Sequence, residues 1–206
     1  MATTITLVSS AQTPRTMEAL FQPLIAGILG FDQINDPNHA YSAARIGWQT
    51  EGQPAWEVSD NVCVITAVLE DDPYSRVRDD QYAMIGSPAD ALTSKMGFTQ
   101  VWRMHFSFYG PLSADNARLV LSALSLDWTA DVLQASKVYV VPEWHRPVYA
   151  PELYPDPGGV WYERTHLEVL FNEQVSESLT PVGAASTVEV TVDTDTGQTR
   201  TFQVGT

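Results

Sequence analysis

The chain has 206 residues, a formal charge of −14 and a pI near 4.4. With 11 Lys and Arg against 25 Asp and Glu, it lacks the cations that adhesion to duplex DNA through its phosphates requires. A hydrophobic content of 44% supports a sizeable core, and 10% aromatics argue against disorder.

The only cysteine, Cys63, lies in the apolar run Asn61 to Leu69, where it reads as a small core residue. It has no partner for an intramolecular disulfide, which points to a reducing compartment. The first ten residues lack the basic start and apolar centre of a signal peptide. No run approaches the roughly 18 apolar residues of a membrane helix. The expectation is a soluble protein made in the cytosol, with no membrane partner.

Thr13 to Gly30 reads as the first helix. Thr13 is its cap, Pro14 its first residue, Glu18 follows in the first turns, and Gly30 is its stop. Met17, Leu20, Phe21, Leu24, Ile25 and Ile28 form its apolar stripe, and Pro23 is expected to bend it. Residues 32 to 41 read as a loop and 42 to 49 as a short strand. Asn61 to Leu69, apolar on both faces, reads as a central strand. Residues 70 to 95 read as a charged projecting loop, with a short strand near 81 to 85.

The stretch Gln100 to Pro111 organises the middle of the chain. Trp102, Met104, Phe106 and Phe108 alternate with Arg103, His105 and Ser107, as in a strand with one buried face and one wetter face. Gly110-Pro111 ends it. Ser113 to Leu124 then reads as an amphipathic helix, capped by Ser113 and with Asp115 in its first turn.

Residues 127 to 136 read as a second short helix and Lys137 to Val141 as a short strand. The Pro- and Tyr-rich segment 142 to 159 reads as an ordered irregular loop. Val160 to Glu173 reads as a long strand with Trp161, Leu167, Val169 and Phe171 on one face and Arg164, His166 and Glu168 on the other. Residues 176 to 186 read as a small-residue linker, and 187 to 204 as a terminal hairpin. The fold class expected is α/β (α+β): a mixed, largely antiparallel sheet flanked by helices, with a C-terminal β-hairpin. Residues 1–178 form the expected domain, with 70–95 projecting. Residues 179–206 are the expected linker and hairpin extension.

Chemistry is sparse. His39, His105, His145 and His166 have no second His or Cys at metal-ligand spacing. The acidic groups Glu70 to Asp72 and Asp79-Asp80 lack the alternating ligand pattern of a calcium loop. There is no nucleophile elbow and no phosphate-cradling Gly-rich loop. A hydrolase built on His105 and His166, with Glu143 or Glu168, is the enzymatic alternative; the favoured reading is no enzyme, no cofactor and no metal.

Several stretches resemble one family: Ala44 to Trp56, Trp102 to Pro111, Val138 to Pro142, and Trp161 to Glu173. The Trp48-Gln49 element with Pro54 and Trp56, Phe108-Tyr109-Gly110-Pro111 before a helix, and Trp161-Tyr162 with Arg164 carry the match. The pattern resembles the neck or tail terminator proteins of tailed bacteriophages over most of residues 15 to 175. That resemblance implies a structural virion protein assembled as a ring of six. The ring would cap the tail tube and join the head–tail connector or stopper protein. Genomic DNA would pass through its channel without specific binding, and the chain would be made in the host cytoplasm. Candidate interface residues are Trp144, His145, Arg146, Tyr149 and Tyr154 in the aromatic loop, Arg76 and Arg78 in the charged loop, and Arg103 and His105 on the central strand. The alternative within the virion is another tail-completion or baseplate adaptor.

Overall fold

A computed structural model describes residues 3–31, 42–47, 59–84, 92–141, 149–155, 161–182, 187–194 and 199–205. In chain order the elements are β1 (Thr3–Ser9), α1 (Pro14–Leu29), β2 (Ser42–Ile46), β3 (Asn61–Glu70), β4 (Arg78–Met84), β5 (Leu92–Tyr109), α2 (Ser113–Ala123), α3 (Asp127–Gln134), β6 (Val138–Val140), β7 (Tyr149–Pro155), β8 (Trp161–Val182), β9 (Thr187–Thr194) and β10 (Thr199–Gly205). This is the expected mixed, mostly antiparallel α+β fold. The chain divides into two compact units, and the long strands β5 and β8 contribute residues to both.

The first unit comprises Thr13–Glu70 and Val101–Asn172. Its strands follow the order β8–β5–β3–β2, with β6 and β7 also paired to β8. β2 runs parallel to β3, and β3 antiparallel to β5, so that Cys63 faces Phe108 in register, Ile65 faces Phe106 and Ala67 faces Met104. Alternation then puts Trp102, Met104, Phe106 and Phe108 into the core, as expected, with Leu167, Val169 and Phe171 of β8. The helices cover this face.

The start of α1 is a capping box: Thr16 N–H donates to Thr13 Oγ1 at 3.2 Å and Thr13 N–H to Thr16 Oγ1 at 2.7 Å. Gly30, at φ 68°, ends it in the left-handed conformation that costs glycine least, and Pro23 sits inside the helix. Phe21 is fully buried and meets the rings of Phe171 and Phe106 edge-on, at centroid distances of 4.7 and 5.8 Å.

Two helix-end residues differ from expectation. Glu18, expected only as an acid in the first turns, is 1% exposed, on the core side of α1. Ser113 does not cap α2; Leu112 occupies the cap position without a side-chain bond, and buried Ser113 Oγ instead accepts from Thr165 Oγ1 at 3.3 Å. Gly110, at φ 99°, turns β5 into α2, and its N–H donates to Glu163 O at 3.1 Å.

The second unit comprises Met1–Gln12, Asp71–Gln100 and Glu173–Thr206. β1 pairs antiparallel with the end of β8 and parallel with β9, and β9 pairs antiparallel with β10. The charged stretch expected as a loop holds a short 3₁₀ turn, Pro73–Arg76, and β4, which pairs antiparallel with the start of β5. Arg78 to Gln81 are all exposed, so no hydrophobic alternation marks the start of β4, whose end, to Met84, is the short strand expected near 81 to 85. Of the linker expected over 176 to 186, residues 176–182 are instead the continuation of β8 to Val182, and 183–186 lie outside the described residues. Among the described residues, no helix is long and apolar enough to cross a membrane.

Candidate functional site

The polar face of the first unit is built by the same alternation that builds its core. On β5, Arg103, His105 and Ser107 point away from the buried set; Thr66, Val68 and Glu70 of β3 and Arg164, His166 and Glu168 of β8 share that half-exposed character. Val68 is opposite Arg103, which makes Glu70 its diagonal neighbour. Arg103 Nε donates to Glu70 Oε1 at 2.6 Å, and Arg103 Nη1 to Glu168 Oε2 at 3.2 Å. The second oxygen of Glu168 lies 3.2 Å from His105 Nδ1. Ser107 Oγ and His166 Nδ1 are 3.0 Å apart.

This is a ladder of alternating charge across three strands. The Arg103 guanidinium is held above its ordinary pKa chiefly by the hydrogen bond to Glu70, against the opposing effect of partial burial, with Glu168 adding to it. The hydroxyl and the carboxylate meet different imidazoles: Ser107 meets His166, and Glu168 meets His105. Glu168 is also committed to Arg103, so the ladder joins strands to one another.

Of the expected interface residues, Arg103 and His105 thus stand together in the ladder. Arg76 is exposed and forms a two-oxygen pair with Asp71, at 2.8 and 2.9 Å. The Arg78 guanidinium lies 3.6 Å over the Phe98 ring, its partner in the β4–β5 register. β7 brings Tyr149 opposite Leu167 and Tyr154 opposite Tyr162, which makes part of the expected irregular loop a strand. Trp144, His145 and Arg146 lie outside the described residues, as do His39 and Glu143.

Sequence reasoning missed two carboxylates. Glu70 was grouped with Asp71 and Asp72, although Val68 and Glu70 continue the alternation of β3. Glu18 stands three residues before Phe21 and seven before Ile25, inside the apolar stripe of α1. Its Oε1 accepts the Ala67 N–H at 3.1 Å, and its Oε2 is buried without a partner. Burial raises its pKa above 4.5, opposed by the Ala67 bond and by Arg15. Cys63 is fully buried and burial pushes its thiol up, away from reactivity. No group of three or more metal-ligating side chains occurs among the described residues.

A mixed sheet with a helix-covered core on one face and interlocked charges on the other defines a building block whose polar groups tie strands together. A profile of the phage neck terminator protein matches residues 15–199, and the chain belongs to that family. It is a structural component of the phage neck and tail, and works in contact with other tail and head proteins. A comparison with curated proteins finds no match.

Proposed function

We propose that six copies of the chain form a ring that ends the tail tube and joins it to the head-side connector or stopper, leaving a channel for the genome. Membership of the phage neck terminator family, over residues 15–199, carries this reading. The charge of −14 per copy supports passage without adhesion, because a negative wall repels phosphates. The chain is made in the host cytoplasm and ends in the virion neck, without enzymatic activity.

Residues 1–178 serve as the terminator body in this reading, and 179–206 as an extension toward a neighbour. β9 is already docked on β1 of its own chain, so the edge of the hairpin left for another strand is that of β10. Arg76, Arg78, Arg103, His105, Tyr149 and Tyr154, with Trp144, His145 and Arg146, are the proposed contact residues.

The test is the mass of the purified chain by native mass spectrometry, alone and mixed with the tail tube protein. A closed oligomer in either sample is the expected result. A monomer in both rejects the ring.

A further inference from the structure

The second unit carries a sheet with two open edges. Its strands run β10–β9–β1–β8–β5, and β4 pairs with the start of β5. Along this stretch β5 lies beside β8: Lys95 shares a groove with Ser176 and Ser178, and Thr99 shares one with Gln174. Among the described residues, β10 and β4 each pair with one strand, so each offers its outer backbone N–H and C=O groups to another chain. The two edge strands are matched in length, at 7 residues each. Arg78 to Gln81 of β4 are exposed on both of its faces.

Direction and charge relate the two edges. Lys95 is level with Ser176 to Ser178 and Thr99 with Gln174, so β5 and β8 are antiparallel. With the other pairings, this makes β4 and β10 point the same way. Repeating the sheet about an axis along its strands therefore sets β10 of one copy beside β4 of the next, in parallel. β4 carries Arg78, Asp79 and Asp80, whereas β10 carries Arg200 and no acid. A β4 edge against a second β4 crowds carboxylates, and β10 against β10 gives Arg200 no acid. β4 against β10 brings Arg200 to Asp79 and Asp80.

We propose that β10 of one copy adds to β4 of the next, so that the second-unit sheet continues from subunit to subunit. This head-to-tail contact uses both edges of every copy and leaves neither open once the ring closes. It rests on the ring reading and names the two edges that meet in it.

The experiment is cysteine cross-linking. Cys63 is fully buried, so introduced thiols are the reactive ones. Gln81→Cys on β4 and Thr201→Cys on β10 are combined in one chain, and the ring is treated with a short bis-maleimide; Asp80→Cys with Gln203→Cys serves if the first pair does not assemble. The double variant should give a ladder of covalent oligomers on a denaturing gel, and neither single variant should give any. Asp79→Lys with Asp80→Lys, added to the first pair, should lower the yield about tenfold, and Arg200→Glu on top of these should restore it. Covalent dimers from a single variant overturn the proposal in favour of like edges meeting, and indifference to the charge reversal overturns it as well. A ring by native mass that gives no ladder overturns the edge pairing and leaves the ring reading standing. A monomer, both alone and with the tail tube protein, rejects both.

Discussion

Glu18 on α1 and Ala67 on β3 are joined by a hydrogen bond of 3.1 Å in which a buried carboxyl oxygen accepts a backbone N–H. The ladder between β2 and β3 reaches Gly47, whose N–H donates to Ile65 O at 2.7 Å. Glu18 takes over the next outward N–H of β3. The bond ties helix to sheet and uses an acid where the apolar stripe would otherwise continue.

Because burial raises the Glu18 pKa above 4.5, the folded state binds its proton more tightly than the unfolded state does. The stability this contributes is fully present below 4.5 and is lost as pH rises through the raised folded value. Glu18→Gln keeps the acceptor and removes the titration. The stability of Glu18→Gln relative to wild type should therefore be greater at pH 7.5 than at pH 4, as read by urea denaturation. A difference independent of pH would show that Glu18 is not protonated preferentially in the fold. Glu18→Ala, which orphans the Ala67 N–H, should cost about 1–3 kcal/mol.

Phe21 bridges α1 to both central strands through Phe106 and Phe171. Phe21→Ala should destabilise the fold by about 3–5 kcal/mol, from lost transfer energy and the cavity left behind. Equilibrium denaturation measures it, and a loss under about 1 kcal/mol would mean that the site collapses or that the packing is wrong.

A side chain at Gly110 would meet the Asp60 carbonyl, and the φ of 99° is one that L-residues rarely adopt. Gly110→Ala should cost at least about 1–3 kcal/mol and displace the start of α2. Thermal unfolding tests the first effect, and hydrogen exchange of the α2 amides tests the second.

The Arg103 ladder should matter little to stability. Its side chains are about one-third exposed, and pairs of that kind contribute about 0–1 kcal/mol each. Arg103→Met should therefore lower stability by no more than about 2 kcal/mol, since two pairs are lost. If Arg103 and His105 are subunit contacts, Arg103→Met and His105→Gln should shift the oligomer mass toward smaller species while far-UV circular dichroism stays unchanged.

Much of the first unit was legible in the sequence because its alternation is strong. Trp102, Met104, Phe106 and Phe108 could share one face only in a strand, and Thr13, Pro14 and Gly30 bracket α1 with chemistry that acts locally. The second unit was legible in part: the hairpin expected at 187 to 204 is β9 and β10, whereas the start of β4 and the end of β8 were read as loop and linker. Arg78 to Gln81 are exposed throughout, so the start of β4 looked like a charged loop. β7 was hidden by Pro151 and Pro155, which a strand bonded on one side tolerates. The parallel pairing of β1 with β9 joins the two ends of the chain, and no local pattern encodes that. In the polar ladder, Arg103 and His105 were visible as outward-facing residues. Their tie through Glu168 depends on β5 and β8 being neighbours, which only the fold supplies.

The most direct measurement is a reconstruction of the intact phage particle that locates this chain. A ring of copies at the junction of tail tube and head connector, enclosing the DNA path, is the result expected. Density for the chain at the distal tip of the tail, or as single copies without a ring, would contradict it.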